Sequence, residues 1–428
     1  MEPLTTNTFL TNSPHLSKED NIGCVSLKDL INHHDLESMV QFNFLVDVGY
    51  LLSNMYDPSI PVTIVHGQKN NLNVYSNVQL YTPEIPDRYG VHHTKAMLLF
   101  FCEKITGIKS VQLVIMTANM IEQDWEDMTQ GVYRTPRCPL KPTATTNESP
   151  FEQDLIKYLR AYKLRSVYEA IAKLRKYDFS SCKGILIGSV PGYHRQSASV
   201  FRDWGIERLA TVLRQHVPSS SFHSELILQC SSLASSPQKW FLELCESMSQ
   251  TKTNTGVAPT IKVVYPTMDT ASKSFTGRER SGDFLRFERG SYEKNHVWFD
   301  KYLCDWQSND AGRQRLMPHI KTYTRIERGT DGTTVIAWHL LTSANLSRAA
   351  WGEYQKNKTQ IYVKSFELGV LFCPSLWVKK KDCFFFFPAK KMKQHVHNND
   401  NIIEVRLPYD LPLVPHPRPM SCFTRLPS

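Results

Sequence analysis

The sequence has no long hydrophobic run. None of its apolar stretches approaches the roughly 20 residues that a membrane-spanning helix needs, and its first residues lack a basic segment followed by an apolar core. None of its 10 cysteines falls in a C-x-x-C pair, which argues against a zinc site and favours reduced thiols. These absences predict a soluble protein of the cytosol or nucleus without a membrane partner.

The composition is that of a globular protein. Apolar residues make up 41% and charged residues 21% of 428 residues, a length that usually exceeds a single hydrophobic core. We therefore predict a flexible N-terminal tail over residues 1–25 and two domains, over residues 26–193 and 194–428. The net charge of +9 favours a polyanionic partner, although charge alone does not identify one.

Strand-like and helix-like segments alternate along the chain, which predicts an α/β fold. Phe44–Val48, Val62–His66 and Ala96–Phe101 are short, apolar and bounded by turn-forming residues, as strands are. Ser149, followed by proline, is typical of a helix start. Residues 269–295 are polar and arginine-rich, which predicts a basic surface loop.

Two segments of the chain repeat one pattern, in which a histidine and a lysine two residues apart are followed by an asparagine. The spacing from histidine to asparagine is 26 residues in both copies, and a tryptophan follows 6 residues later in both. A lone H-x-K triplet is more often a surface pair, but a duplication in register is not expected by chance. The residues are His93, Lys95 and Asn119 in the first copy and His319, Lys321 and Asn345 in the second.

Two such half-sites facing each other would form one pocket with two imidazoles, two ammonium groups and two amides. The ammonium and amide groups would stabilise the charged oxygens of a phosphodiester. One imidazole could attack phosphorus while the other protonates the leaving oxygen, since imidazole titrates near neutral pH. The pattern predicts phosphodiester chemistry with no metal and no cofactor.

The half-sites resemble those of the phospholipase D superfamily, whose motif also carries an aspartate five residues after the lysine. Phe100 and Ile326 stand at those positions in this sequence. This departure, with the runs around His93, His319 and Asn345, makes the chain resemble the tyrosyl-DNA phosphodiesterase family over roughly residues 42–413. The resemblance implies two similar domains, each a mixed β-sheet flanked by helices, related by a pseudo-two-fold axis with the active site between them.

The resemblance also implies roles for individual residues. His93 would be the nucleophile, and His319 the general acid and then the general base. Lys95, Lys321, Asn119 and Asn345 would hold the phosphate, while Gln130 and Glu367 would orient the two histidines. The implied DNA contacts are Phe44, Tyr89, Ser231, Ser232, Ser235 and Ser347.

The activity that the resemblance implies is DNA repair. The enzyme would hydrolyse the bond between a tyrosine of topoisomerase I, or another adduct, and the DNA 3′-phosphate through a covalent phosphohistidine. Its partners would be DNA with a blocked 3′ end, single-stranded or nicked, and the attached topoisomerase I peptide. It would act as a monomer in the nucleus, with the cytoplasm and mitochondrion as further compartments.

Three other functions remain open at this stage. A phospholipase D acting on lipid head groups shares the chemistry, but the missing aspartates count against it. An inert DNA-binding scaffold would have no reason to keep all six half-site residues. A metal nuclease could use His33, His34, His395 and His397, but no acidic cluster accompanies these histidines.

Overall fold

The computed structural model has a mixed α/β fold, as the sequence predicts. It describes residues 5–68, 73–142, 147–219, 222–253, 257–330, 332–377, 385–388, 402–417 and 421–425. Within these ranges the strands form sheets of eight, nine and three strands. None of the helices in these ranges is long and apolar enough to cross a membrane.

The strands are, in chain order, β1 (Thr8–Leu10), β2 (Leu36–Asn43), β3 (Val62–His66), β4 (Val78–Tyr81), β5 (Ala96–Cys102), β6 (Lys109–Met116), β7 (Gly131–Arg134), β8 (Cys138–Pro139), β9 (Ile185–Ser189), β10 (Gly192–Arg195), β11 (His223–Gln229), β12 (Thr260–Val264), β13 (Leu303–Cys304), β14 (Thr322–Arg328), β15 (Thr334–Thr342), β16 (Glu353–Gln355), β17 (Gln360–Val363), β18 (Glu367–Phe372), β19 (Phe385–Pro388) and β20 (Ile402–Val405). The helices are α1 (Lys28–Ile31), α2 (Val48–Ser53), α3 (Glu122–Glu126), α4 (Pro150–Arg160), α5 (Arg165–Leu174), α6 (Gly205–His216), α7 (Gln238–Met248), α8 (Met268–Ser272), α9 (Gly277–Ser281), α10 (Arg289–Phe299) and α11 (Arg348–Trp351).

The two large sheets share one topology. The first runs β7-β6-β5-β2-β3-β4 and the second β18-β15-β14-β11-β12-β13, with further strands at their edges. In each sheet an antiparallel hairpin, β5-β6 or β14-β15, lies next to three strands, β2-β3-β4 or β11-β12-β13, that pair with one another in parallel. This equivalence gives the repeated sequence pattern a structural counterpart. The boundary predicted near residue 193 stays a prediction, and β9, which precedes it, pairs with β18 in the second sheet.

The segment predicted as a flexible tail is partly ordered. Thr8–Leu10 forms β1, which pairs antiparallel with β7, and Leu10 and Val25 are buried. The described part of this segment thus packs its few apolar residues against an edge of the first sheet, while the flexible tail over residues 1–25 stays a prediction.

Two local predictions were wrong. The strand lies at β2, not at Phe44–Val48, because Asp47 accepts a hydrogen bond from Tyr50 N and caps α2. Residues 269–295 contain α9 and parts of α8 and α10 rather than a surface loop, since buried side chains such as Phe284 and Leu285 anchor the segment. The predicted helix start at Ser149 is confirmed, with Ser149 Oγ accepting from Glu152 N at 3.2 Å.

The positions where the superfamily motif has aspartate lie in the core. Phe100 is 1% and Ile326 0% exposed, and both lie on the central hairpins. A carboxylate at either position would lose its hydration in an apolar core, at a cost of several kcal/mol. Any carboxylate that serves the site must therefore come from another element.

Candidate active site

The central hairpin of each sheet brings its half-site together. Ala96 pairs with Ile115 in the first hairpin, and Thr322 pairs with Leu341 in the second. The histidine-lysine pair lies just before the first strand and the asparagine just after the second. Because the two strands are antiparallel, these ends lie side by side at one edge of the sheet. The 26 residues from histidine to asparagine therefore span one hairpin, from the segment just before its first strand to the segment just after its second.

The two half-sites are joined by reciprocal backbone hydrogen bonds. His93 N donates to Phe366 O at 2.9 Å, and His319 N donates to Thr129 O at 3.0 Å. Each acceptor comes from the opposite half of the chain. Phe366 directly precedes Glu367, which contacts His93, and Thr129 directly precedes Gln130, which contacts His319. The structure therefore brings both half-sites into one site, as the repeat predicts.

His93 is held by a carboxylate. Its Nδ1 lies 2.9 Å from Glu367 Oε2, which also accepts a hydrogen bond from Ser343 Oγ. Burial lowers the pKa of His93, and Glu367 opposes that shift. Burial raises the pKa of Glu367, but His93, Ser343 and Lys95 outweigh it, so the pKa is lowered and Glu367 is a carboxylate. With Nδ1 held in this way, Nε2 is the ring nitrogen left to face a substrate.

His319 has two partners at the same ring nitrogen. Its Nδ1 lies 2.9 Å from Gln130 Nε2 and 3.1 Å from Asp124 Oδ2. Thr117 Oγ1 donates to Gln130 Oε1 at 2.7 Å, which turns the amide nitrogen of Gln130 towards His319. Burial and the nearby Lys321 lower the pKa of His319 to about 3, against the opposing effect of Asp124.

Asp124 is the residue that the sequence analysis missed. It lies on α3, is 2% exposed, and its Oδ2 accepts from Asn119 N at 2.6 Å and from Gln130 Nε2 at 3.1 Å. Burial raises its pKa, but His319 and the hydrogen bonds outweigh it, so the pKa is lowered. The equivalent position in the second copy is Ala350, so the repeat gave no signal for Asp124.

The two lysines are fully buried. Lys95 Nζ donates to His93 O at 3.1 Å, and Lys321 Nζ donates to His319 O. Burial lowers the pKa of Lys95 to about 8 and that of Lys321 well below its usual value. Two buried ammonium groups beside two histidines form a site that an anion would stabilise.

The two asparagines are oriented alike. Asn119 Oδ1 accepts from Leu45 N at 3.4 Å, and Asn345 Oδ1 accepts from Ser231 N at 3.2 Å and Ser232 N at 3.0 Å. With each amide oxygen held by backbone N–H groups, each NH₂ group is left to donate.

The predicted DNA contacts lie in two places. Phe44 is 5.8 Å from His93 between ring centroids, and Ser231 is buried with its hydroxyl 3.3 Å from Asn345 Oδ1. Tyr89, Ser235 and Ser347 line a separate cleft of about 200 Å³. Within that cleft the Ser347 hydroxyl accepts from Ala350 N and caps α11.

The histidines considered as metal ligands lie elsewhere or outside the described residues. His33 Nε2 contacts Asp29 O at 3.2 Å, and His34 packs beside Tyr56. His395 and His397 fall outside the described ranges. Within those ranges, no three His, Cys, Asp or Glu side chains are grouped as metal ligands.

Comparison with known proteins gives consistent matches. The family model described as "Tyrosyl-DNA phosphodiesterase" matches residues 7–417. Tyrosyl-DNA phosphodiesterase 1 of Drosophila melanogaster is 33% identical over 417 residues, covering 92% of this chain and 68% of the relative. The Arabidopsis thaliana protein of that name is 34% identical and covers 85% of this chain and 61% of the relative. A probable tyrosyl-DNA phosphodiesterase of Schizosaccharomyces pombe is 30% identical, covering 95% and 90%.

Solved structures show the same fold. The crystal structure of the yeast tyrosyl-DNA phosphodiesterase matches with a TM-score of 0.72 at 18% identity, covering 96% of this chain and 97% of the yeast chain. A mutant of that protein matches with a TM-score of 0.74 at 19% identity, covering 98% and 99%. At such low identity the likeness supports the mixed α/β architecture and not the chemistry.

Proposed function

The chain belongs to the tyrosyl-DNA phosphodiesterase family, and from this premise we propose that it is a DNA-repair enzyme that hydrolyses the bond between a tyrosine and a DNA 3′-phosphate. The observation that carries the proposal is the reciprocal site, in which each half of the chain supplies one histidine and the group that orients the other histidine. Such a site would hold a nucleophile and an acid on the two sides of one phosphate.

In the first step His93 is the nucleophile. Glu367 holds the Nδ1 proton, so Nε2 presents its lone pair to phosphorus. A phosphorus–nitrogen bond forms while the bond from phosphorus to the tyrosine oxygen breaks. His319, whose pKa is lowered in the free protein and raised again by the bound phosphate anion, gives that oxygen a proton. A tyrosine hydroxyl has an ordinary pKa near 10, so its departure needs modest assistance. The product of this step is a phosphohistidine that carries the DNA.

In the second step His319 is the general base. It removes a proton from water, the water oxygen attacks phosphorus, and the phosphorus–nitrogen bond breaks. The DNA leaves with a 3′-phosphate and His93 is regenerated. Lys95 and Lys321, with the NH₂ groups of Asn119 and Asn345, would stabilise the charge on the phosphate oxygens throughout, as preorganised donors do.

Asp124 would support His319 when that ring is positively charged. The imidazolium formed in the second step can donate its Nδ1 proton to Asp124 Oδ2, which lies 3.1 Å away. In the neutral ring that acts as base, Nδ1 keeps its proton towards Asp124 and Nε2 is left to take a proton from water, while Gln130 Nε2 donates to Asp124 Oδ2 at 3.1 Å. In this way each histidine has one carboxylate partner, Glu367 for the nucleophile and Asp124 for the acid-base residue, although neither lies at the aspartate position of the superfamily motif.

Asp124→Asn is expected to lower kcat by about 100-fold, because the imidazolium loses its carboxylate partner. The covalent protein–DNA intermediate should occupy a larger fraction of the protein, since the second step is the one in which His319 gains a proton. Quenched-flow gels measure both quantities. Asp127→Asn is the matched control, because Asp127 pairs with Arg280 and His15 instead. An unchanged intermediate fraction in Asp124→Asn would contradict the assignment.

The pH dependence follows from two lowered pKa values. The pKa of His93 lies below its ordinary 6.5, so the nucleophile stays neutral at pH 6.5 and activity should fall only at lower pH. The pKa of Lys95 is lowered to about 8, so kcat/KM should decline as the pH rises through about 8 and a positive charge is lost. Lys95→Arg should remove the part of this decline that comes from Lys95, because arginine stays protonated, while the part that comes from Lys321, whose pKa is also lowered, stays. A wild-type plateau up to pH ~10 would contradict the prediction.

We further propose the form of the DNA substrate, a monomeric state and a nuclear location. DNA with a blocked 3′ end, single-stranded or nicked, and the attached topoisomerase I peptide would be its partners, and the chain would act as a monomer. Such a role places it in the nucleus. Phe44, beside His93, would contact the terminal nucleotide, and Ser231 and Ser232 would act through Asn345.

The decisive assay uses a single-stranded oligonucleotide with a 3′-phosphotyrosine, in the presence of a chelator. We expect release of tyrosine and a product with a 3′-phosphate. A phosphatidylcholine vesicle serves as the comparison substrate, and its hydrolysis in place of the oligonucleotide would favour a lipid phosphodiesterase. Binding of the oligonucleotide without conversion would favour an inert scaffold.

A further inference from the structure

Cys24 lies between two arginine side chains, and none of the three residues is part of the candidate active site. Arg313 Nη2 donates to Cys24 Sγ at 2.6 Å, and Arg406 Nη1 donates to it at 3.2 Å. Three distant parts of the chain meet at this sulfur, since Cys24 precedes α1, Arg313 lies between β13 and β14, and Arg406 directly follows β20. We call these three residues the thiol cluster.

Arg313 is fully buried, and only part of its hydrogen-bonding capacity is used. Its side chain is 0% exposed, and Nη2 also donates to Thr11 O at 3.0 Å. Within the described residues, Arg313 Nε and Nη1 have no hydrogen-bond partner, and neither has Arg406 Nε. Burial lowers the pKa of Arg313, Cys24 and Asp20 oppose that shift, and Arg406 adds to it. A buried guanidinium is stabilised by a nearby anion, and these N–H groups are left to donate to one.

The charges of the thiol cluster favour a negative sulfur. The thiolate is the reactive form of cysteine, and neighbouring arginines favour that form over the thiol. Asp20 is the opposing charge, and its Oδ2 accepts from Ser17 Oγ at 3.1 Å. The two guanidinium groups carry two positive charges against this one negative charge, so their attraction for the sulfur outweighs its repulsion.

A small reagent can reach Cys24. Of the cysteines in the described ranges, Cys24 and Cys102 are half-buried and the others are buried. Cys102 ends β5, and its backbone N–H donates to Asp35 O at 2.8 Å. The described residues place no arginine on the Cys102 sulfur, so the chain contains its own reference thiol of similar exposure.

We propose that Cys24 is a peroxide-sensitive modification site of this protein. The thiolate sulfur attacks one oxygen of hydrogen peroxide, a sulfur–oxygen bond forms, and the oxygen–oxygen bond breaks. The hydroxide that leaves takes a proton from solvent and becomes water, so the sulfur loses two electrons and the peroxide gains them. The product is a sulfenic acid, which a thiol can reduce. This chemistry is separate from the phosphodiester mechanism and does not depend on it.

The thiol cluster also suits the product of the oxidation. A sulfenate oxygen is a stronger acceptor than a sulfur atom, and hydrogen bonds from a guanidinium to an anionic oxygen are among the strong ones. The N–H groups without partners on Arg313 and Arg406 belong to the two guanidinium groups that already contact the sulfur. The oxidised side chain is therefore stabilised by the groups that activate the reduced one.

The test compares two cysteines of the full chain. The protein is treated with dilute hydrogen peroxide in the presence of dimedone, which traps sulfenic acids, and peptide mass spectrometry follows each cysteine with time. Cys24 should be labelled about tenfold faster than Cys102, the scale of one charge-assisted hydrogen bond acting on the thiolate population. Equal labelling rates at the two cysteines would overturn the proposal.

Variants of Arg406, which is partly exposed, test the role of the charge. Arg406→Gln should slow the labelling of Cys24 about tenfold, while Arg406→Lys keeps the positive charge and should stay within a few fold of the wild type. Arg315→Gln is the matched control, because Arg315 is two residues from Arg313 but lies over the Phe275 ring, 4.0 Å from its centroid. An unchanged rate in Arg406→Gln would contradict the proposal, as would an equal loss in Arg406→Lys or Arg315→Gln.

A second measurement needs neither a variant nor an oxidant. Iodoacetamide alkylates thiolates, so in the wild-type protein it should modify Cys24 faster than Cys102, again by about tenfold. This comparison decides the matter even if Arg406→Gln fails to fold. Alkylation of Cys102 at the same rate as Cys24 would show that the two arginines do not activate the sulfur.

Discussion

His93→Ala is expected to lower kcat/KM by on the order of 10⁴-fold or more, the scale of losing a catalytic nucleophile. Alanine offers no atom that can form a bond to phosphorus, and no other histidine takes its position against Glu367. Binding of the 3′-phosphotyrosyl oligonucleotide should stay within a few fold of the wild type, because both lysines and both asparagines remain. Rapid-quench turnover and fluorescence anisotropy measure the two quantities.

The control for this variant is His223→Ala, which removes an exposed histidine at the start of β11 and should leave turnover intact. A labelled oligonucleotide gives the sharper criterion, because His93→Ala should form no covalent protein–DNA species under any quench condition. Covalent labelling that persists in His93→Ala would show that another side chain is the nucleophile.

The half-sites could be predicted from sequence because the hairpin imposes its geometry on the residue spacing. The ends of an antiparallel pair must lie together, so an equal distance from histidine to asparagine in both copies indicates the same register at the site end of both hairpins. The structure has that register, with Met116 N donating to Lys95 O and Thr342 N donating to Lys321 O. Farther from the site the hairpins differ, because the register of the second shifts after Arg325. The position of β3 at Val62–His66 is also as predicted, since its apolar, β-branched run has no buried polar residue before its end.

The missed features share a physical cause, which is burial of polar groups. β2 was not predicted because Gln41 and Asn43 interrupt its apolar pattern, although both side chains are 0% exposed. Asn43 donates to Ala118 O and accepts from Phe44 N, so its polarity is used inside the protein. Hydrophobic patterning cannot identify a buried polar residue whose partners come from distant segments.

Asp124 escaped prediction for the same reason. Its partners are Asn119, Gln130 and His319, and the last of these is almost 200 residues away in sequence. A weak signal was present, since Asp124 precedes the repeated tryptophan, which lies in the core. An acid in such a position needs a buried partner, but the sequence does not say which one.

A substitution of His319 should stop the reaction after its first step, at the covalent intermediate. His319→Asn cannot exchange a proton, yet a tyrosine leaving group with a pKa near 10 still departs with little help. The second step depends on a base to activate water, and should slow by about 10²- to 10⁴-fold, the usual contribution of general base catalysis. The first step therefore outpaces the second, and a covalent protein–DNA species should accumulate close to one per protein molecule on a denaturing gel.

The chemistry of the trapped species identifies the bond. A phosphorus–nitrogen linkage to His93 should be cleaved by mild acid and survive mild alkali, whereas an acyl phosphate formed on a carboxylate would be cleaved by mild alkali. The double variant His93→Ala with His319→Asn should accumulate nothing, because the acceptor nitrogen is absent. Wild-type turnover in His319→Asn would mean that another group activates water, and Asp124, the carboxylate nearest to the lost ring at 3.1 Å, would then be the residue to replace next.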